Sequence, residues 1–142
     1  MTANLPYNHP MSRFAFIVVA AVLTLGLRAA QDPSPFLAPL PEGVTLARIA
    51  EGRELYLGTG LCVACHGPSG QGKIGPDLTD SVWVHGRGSF PELIELIRKG
   101  VSSDQSVSGT EMLPRGGSGI GDDEVRKVAA YVWSLSQKRK QP

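Results

Sequence analysis

Both cysteines of this 142-residue chain lie in one five-residue segment, Cys62-Val-Ala-Cys-His66. Two thiols at this spacing can each form a thioether bond to a vinyl group of a haem, and the adjacent imidazole can then bind the iron. A bound cofactor matters for a chain of this length, because small domains bury only a modest fraction of their surface. The segment therefore predicts a domain built around one haem c, attached covalently through Cys62 and Cys65.

Three other chemistries use the same cysteine spacing. A thioredoxin-like dithiol belongs at the start of a helix in a βαβ unit, and this sequence has no strand pattern. A zinc site would use Cys62, Cys65 and His66, but no second pair of Cys or His ligands follows them. A structural disulfide is compatible with an exported protein and gives His66 no role. Haem attachment is the interpretation that uses all three residues.

A haem bound by His66 has a second face, for which the sequence offers two ligands, Met112 and His85, because Met1 and Met11 lie in the N-terminal leader. Met112 lies in a loop among polar residues, where a turn would present the thioether rather than bury it in a core. We predict His66 and Met112 as the axial ligands, with His85 as the alternative.

The N-terminus has the form of an export signal. Arg13 is followed by the apolar run 14–27, although Arg28 makes the next residues a poor signal-peptidase site. An uncleaved anchor, with membrane attachment through residues 14–30, is therefore the alternative. Either way we expect the rest of the chain in the bacterial periplasm, free or tethered to the inner membrane. Translation from Met11 is also compatible with the sequence.

The remaining chain divides by composition. Residues 31–43 contain four prolines and predict an extended linker, 44–138 form the folded domain, and 139–142 are a basic tail. The formal net charge of +1 gives no indication of a nucleic-acid partner.

Three helices are predicted within the domain. The first runs from Thr45 and ends before Gly58, and the second starts at the capping box Ser89-Phe-Pro-Glu92 and ends before Gly100. The third starts at Asp122 or Asp123 and has one apolar stripe, formed by Val125, Val128, Ala129, Val132 and Leu135. Residues 67–88 and 101–121 are rich in Gly, Pro or Ser and predict irregular loops. The fold class is therefore all-α.

From about Val44 to Ser136 the chain resembles class I c-type cytochromes, particularly the haem c domains of bacterial haem-copper oxidase subunits and their donors. The resemblance is carried by Cys62-Val-Ala-Cys-His66-Gly67, Gly75-Pro-Asp-Leu78-Thr-Asp80, Trp83-Val-His-Gly86, Met112-Leu-Pro114 and Ala129-Ala-Tyr131-Val-Trp-Ser-Leu135. It implies a cytochrome c fold around one haem, in which the N- and C-terminal helices cross near Gly52, Tyr56 and Tyr131.

The resemblance also implies further haem-binding residues. The carbonyl of Pro76 would accept a hydrogen bond from His66, Leu78 would pack on the ring, and Trp83 and Arg87 would approach the propionates. One departure concerns the second ligand. Such domains commonly have Pro directly after the ligand Met, whereas here Leu113 intervenes and the Ser-rich residues 102–108 lengthen the preceding loop.

Coordination by His66 and Met112 would fill both axial positions, which predicts one-electron transfer between redox proteins and no catalytic residue in this chain. Two alternatives remain. The chain could be the electron-entry subunit of a membrane oxidoreductase complex, or, if Met112 leaves the iron, a ligand-binding or peroxidase-like haem protein. Lys73, Arg87 and Arg115 are candidates for a cationic ring that steers an acidic partner.

Overall fold

A computed structural model describes residues 39–138 of the chain, which belong to one compact unit. The elements, in chain order, are α1 (Leu46–Leu57), α2 (Val63–His66), α3 (Phe90–Lys99), a 3₁₀ turn (Pro114–Gly117) and α4 (Asp122–Lys138). The described range contains no strand, and its one β-bridge is an isolated antiparallel pair of Val101 and Met112. The all-α prediction is confirmed. The predicted leader, most of the linker and the basic tail lie outside the described residues.

Helix α1 begins and ends where the sequence predicts. Thr45 is the N-cap, with an extended backbone, and its hydroxyl accepts a hydrogen bond from the backbone N–H of Arg48 at 3.1 Å. This bond satisfies one of the amides that a helix start leaves without a partner. At the other end, the N–H of Gly58 donates to the carbonyls of Glu54 and Leu55 and closes the helix.

Helix α3 is fixed at its start by the predicted capping box. The backbone N–H and the hydroxyl of Ser89 both donate to Glu92 Oε2, at 3.1 and 2.8 Å. These bonds favour the ionised carboxylate, and the hydroxyl of Ser89 does most to lower the pKa of Glu92. One face of the helix is buried and consists of Phe90, Leu93, Ile94 and Ile97. This face forms part of the hydrophobic core of the domain.

The first and last helices cross at a glycine, as the resemblance implies. A Cβ added to Gly52 would lie 1.9 Å from the carbonyl oxygen of Lys127, so no other residue allows the two backbones to approach so closely. Next to the crossing, the rings of Tyr56 and Tyr131 meet edge to face, with centroids 5.2 Å apart. The predicted crossing is confirmed.

Helix α4 is buried on more than the predicted stripe. The five predicted residues are all at most 5% exposed: Val125, Val128, Ala129, Val132 and Leu135. Ala130, Tyr131 and Trp133 are buried as well, together with two serines whose hydroxyls donate to carbonyls three residues earlier in the helix. A one-stripe pattern underestimated this burial because α4 packs against both α1 and α3.

Two short elements were not predicted. The Cys segment, taken as a loop, contains the single helical turn Val63–His66, and the loop 101–121 contains the 3₁₀ turn Pro114–Gly117. An element of one turn is too short to show a hydrophobic period, so neither turn can be predicted from the sequence pattern. None of the helices in the described part of the chain combines the length and the apolar character needed to cross a membrane.

Candidate haem-binding site

The imidazole of His66 is held in one orientation by a main-chain carbonyl. The side chain is 8% exposed, and its Nδ1 lies 3.0 Å from the carbonyl oxygen of Pro76. A carbonyl can only accept, so this contact places the proton on Nδ1 and leaves the lone pair of Nε2 for a metal. This is the contact that the resemblance implies.

Gly75 allows the chain to lie directly against this ring. A Cβ at position 75 would be 2.6 Å from Cε1 of His66. The same segment bonds back to the Cys turn, because the N–H groups of Ile74 and Gly75 both donate to the carbonyl of Cys65, at 3.0 and 2.9 Å. The N–H of Gly72 donates to the carbonyl of His66 at 2.9 Å. The orientation of His66 therefore rests on main-chain bonds.

The two thiols are free and half-buried. That of Cys62 donates to the carbonyl of Gly60 at 3.3 Å. Burial raises the pKa of Cys62 to about 11, so the thiol stays protonated near neutral pH. A dithiol oxidoreductase needs the opposite shift, because the thiolate is the nucleophile. The environment of Cys62 thus argues against the thioredoxin-like interpretation.

Zinc binding finds no support either. Among residues 39–138, no three His, Cys, Asp or Glu side chains are grouped so that they could hold a metal ion by themselves. A metal at Nε2 of His66 would have to come with its own equatorial ligands, as the iron of a porphyrin does.

A cleft opens beside the Cys turn, with a volume of about 1240 Å³ that includes space open to solvent. Seven of the eight predicted haem-binding residues line it: Cys62, Cys65, His66, Pro76, Leu78, Trp83 and Met112. Much of the remaining wall is aliphatic and comes from α3 and α4, including Leu93, Ile97, Val128 and Val132. An apolar cleft with two thiols and one oriented imidazole at its wall fits a covalently attached porphyrin.

Arg87, the eighth predicted residue, does not line the cleft. Its side chain is exposed, and its backbone N–H donates to Glu92 at 3.0 Å. Lys73 and Arg115, the other members of the predicted cationic ring, are also absent from the lining. The guanidinium of Arg115 is engaged elsewhere, since it donates to the carbonyl of Ile120 and the carboxylate of Asp122.

Both candidates for the second axial ligand line the same cleft. Met112 and His85 are each partly buried there. The main chain of Met112 is fixed by a pair of hydrogen bonds to Val101, one in each direction and both 2.8 Å long. The bridge therefore holds the two ends of the loop 102–111 together.

Sequence reasoning missed the aliphatic wall of the cleft. Leu93, Ile97, Val128 and Val132 were visible as apolar positions on helices, but a hydrophobic period does not tell whether a face packs on protein or on a cofactor. Leu61 and Ile74 also line the cleft and are about half exposed. Their position beside the Cys turn was the available signal.

An all-helical domain whose terminal helices cross, with a Cys-x-x-Cys-His turn at an apolar cleft, is a class I c-type cytochrome, and its cofactor is haem c. A family model described as "Cytochrome C oxidase, cbb3-type, subunit III" matches residues 47–132. The match covers more than half of the sequence, and the chain belongs to this family.

Two curated relatives match just over half of the chain. The chain is 36% identical over 80 residues to the cbb3-type cytochrome c oxidase subunit CcoP of Rubrivivax gelatinosus, a match that covers 54% of this chain and 23% of the relative. It is 37% identical over 84 residues to the subunit FixP of Sinorhizobium medicae, covering 57% and 28%. The chain thus spans about a quarter of the length of these relatives. No solved structure gives a significant match.

Proposed function

We propose that this chain is a one-electron transfer domain that serves as the electron-entry subunit of a membrane oxidoreductase of the cbb3 oxidase kind. The haem c is attached through Cys62 and Cys65 and bound at the iron by His66 and Met112. The observation that carries the proposal is the oriented imidazole, whose unprotonated Nε2 is the nitrogen available to iron at the wall of an apolar cleft.

When bound, the haem supplies a ferric/ferrous couple, and the chain sets its properties. Pro76 holds the proton on Nδ1 of His66 and keeps the ring in place. The aliphatic wall from α3 and α4 keeps water from that part of the cleft and disfavours the extra positive charge of the ferric state. With Met112 on the other face, no position remains for a substrate, so the chain carries electrons and performs no catalysis of its own.

The relatives support the assignment to a complex, because both are named as subunits of cbb3-type cytochrome c oxidase. We place the haem domain in the periplasm, tethered to the inner membrane by the N-terminal segment or released from it by cleavage. A free periplasmic carrier is the second candidate.

Absorption spectra test the cofactor and its ligands. The protein is produced in a host that attaches haem c, and oxidised and reduced spectra are recorded with a pyridine haemochrome assay. We expect a two-thioether haem and a weak sulfur-to-iron band in the oxidised form. That band should vanish in Met112→Ala and persist in His85→Ala. An unmodified protein that lacks this band, and whose spectrum changes in His85→Ala but not in Met112→Ala, would move the ligand to His85. A protein without covalent haem would refute the proposal.

Fractionation separates the two candidate functions. Membranes from the native host are solubilised in mild detergent, and the haem-staining band of this chain is followed through purification. Co-purification with larger oxidase chains is expected for an entry subunit. Recovery of the chain alone in the periplasmic fraction would instead identify a free carrier.

A further inference from the structure

The segment that follows Met112 is fastened to α4 by one side chain. Arg115 Nη1 donates to the carbonyl of Ile120 at 2.7 Å, and Nη2 donates to Asp122 Oδ1 at 2.6 Å. Asp122 is the first residue of α4. The two bonds therefore join the 3₁₀ turn to the start of the helix that carries much of the core.

The backbone conformation of Arg115 is also unusual, which indicates that its surroundings hold this residue in place. Its φ of 57° and ψ of 27° are left-handed, a conformation that residues with a Cβ adopt rarely. Such a conformation persists only where the surroundings hold it. Here the carbonyl of Arg115 accepts from the hydroxyl of Ser118 at 2.6 Å, while its guanidinium is held on the other side by Ile120 and Asp122.

The main chain of Met112 is thus restrained from two directions. Before it, the paired hydrogen bonds to Val101 hold the two ends of the loop 102–111 together. After it, Leu113 and Pro114 lead directly to Arg115. Pro114 fixes only its own φ. The guanidinium of Arg115 is the group that ties this segment to Ile120 and to the start of α4.

We infer that Arg115 is a positioning residue for Met112, and that its bonds to Ile120 and Asp122 decide how firmly the thioether is kept on the iron. The inference rests on the proposed function, in which Met112 is the second axial ligand. Without these bonds the segment 113–117 gains freedom, and Met112 leaves the iron more often. The chain then shifts from closed electron carrier towards a haem that binds small external ligands.

A nearby cation explains why loss of Arg115 should loosen the loop without unfolding the domain. Arg98 of α3 has its Nε 3.6 Å from Asp122 Oδ1, and this buried nitrogen has no hydrogen-bond partner in the described part of the structure. Asp122 thus already has Arg98 as a second cationic partner and keeps it when Arg115 is removed. The helix start keeps a partner, and the loop loses its connection.

The experiment compares holoprotein variants by carbon monoxide binding to the reduced form and by the temperature at which the sulfur-to-iron band of the oxidised form disappears. Arg115→Ala should bind carbon monoxide faster, on the order of tenfold, because hydrogen bonds from a charged donor are lost. Its band should also disappear at a lower temperature than in the unmodified protein. Arg115→Lys keeps the charge but not the fork of donors, so it should restore part of the difference.

Arg48→Ala is the matched control. Arg48 pairs with Asp123 at 3.3 Å, also in the first turn of α4, but it lies on α1 and is not among the residues lining the cleft. It should leave the band and the carbon monoxide rate unchanged, whatever it does to the unfolding temperature. Equal carbon monoxide rates in Arg115→Ala, Arg48→Ala and the unmodified protein would overturn the inference.

Met112→Ala distinguishes the two levels of failure. If it abolishes the sulfur-to-iron band while Arg115→Ala leaves both readouts unchanged, the ligand assignment stands and only the role of Arg115 is refuted. If the band survives in Met112→Ala, both the ligand assignment and the inference are refuted. Loss of the band in Met112→Ala together with faster carbon monoxide binding in Arg115→Ala supports both.

Discussion

The two sides of the cleft differ in what holds them. On one side, residues 62–76, here called the His66 wall, are joined by main-chain hydrogen bonds and by a glycine that lets the chain touch the imidazole. Residues 101–117, the Met112 wall, contain one β-bridge and a few short turns, and the side chain of Arg115 joins them to Ile120 and Asp122. A wall held by backbone keeps its geometry through many surface changes, whereas a wall held by side chains can be altered by one substitution.

This difference matters for the two axial ligands. His66 is fixed before any cofactor is considered, because its partner is a carbonyl that every residue type provides. Met112 is held by its bridge to Val101, and the segment after it is held by Arg115 and Asp122, charged groups that solvent and pH affect. We therefore expect changes at the His66 wall to abolish the holoprotein or leave it intact, and changes at the Met112 wall to produce graded effects.

The largest effect is expected from Cys65→Ala, which removes one covalent bond of the His66 wall. The variant should contain no haem with two thioether bonds, as read from the pyridine haemochrome spectrum and the intact mass. Ala64→Ser changes the exposed neighbouring residue and should keep both bonds. A two-thioether haem in Cys65→Ala would contradict the attachment site.

Met112→Ala should lower the reduction potential without loss of covalent haem. Thioether ligation raises the potential, and axial ligands together spread haem potentials over about 0.8 V, so a drop on the order of 0.1 V is expected. Spectroelectrochemical titration measures it. Ser103→Ala changes an exposed residue of the same loop that does not line the cleft, and it should leave the potential near that of the unmodified protein. Equal reduction potentials in all three proteins would show that Met112 does not bind the iron.

Gly75→Ala tests whether backbone contact really holds the His66 wall. The new Cβ would lie 2.6 Å from the imidazole, and overpacking of this kind destabilises by about 1–3 kcal/mol. Chemical denaturation should show this loss. Gly119→Ala is the control, because nothing lies within 4 Å of a Cβ there. Similar stabilities of the two variants would mean that the contact at residue 75 does not constrain the ring.

Acid should weaken the Met112 wall through Asp122. The hydrogen bond from Arg115 is the main cause that lowers the pKa of this carboxylate, and Arg98 adds to the effect. A lowered folded pKa gives stability that is present above the unfolded value of about 3.9 and is lost as the pH falls through the folded value. Between about pH 5 and pH 3, bounds that hold to within about one unit, the unfolding temperature should therefore fall with decreasing pH. The fall should be steeper in the unmodified protein than in Asp122→Asn. Parallel curves would exclude this contribution.

The same contrast explains how far the sequence could lead. Long elements with caps at both ends were predicted correctly: Thr45 and Gly58 bound α1, and Ser89 and Gly100 bound α3. The Cys motif indicated the His66 wall through its spacing, and the contact of Pro76 with His66 was implied by the family resemblance. The membership in a cytochrome family is confirmed.

What the sequence could not provide are contacts between side chains that are distant along the chain or in loops. Arg115 was a candidate for steering a partner, and nothing in its neighbours indicates that it bonds to Asp122. Arg87 was a candidate for the propionates; it does not line the cleft, and its backbone N–H donates to Glu92. Single-turn elements such as Val63–His66 are too short for a period.

The hydroxyl of Tyr56 donates to the carbonyl of Gly67 at 2.7 Å and is fully buried. This bond joins two residues that are eleven positions apart, on either side of the Cys motif. Closing so short a loop loses little chain entropy, whereas the contact of Gly52 with Lys127 joins the two ends of the domain. Local closure should therefore precede the crossing of α1 and α4. Tyr56→Phe should then slow folding more than it speeds unfolding in stopped-flow measurements, and a change confined to the unfolding rate would reverse that order.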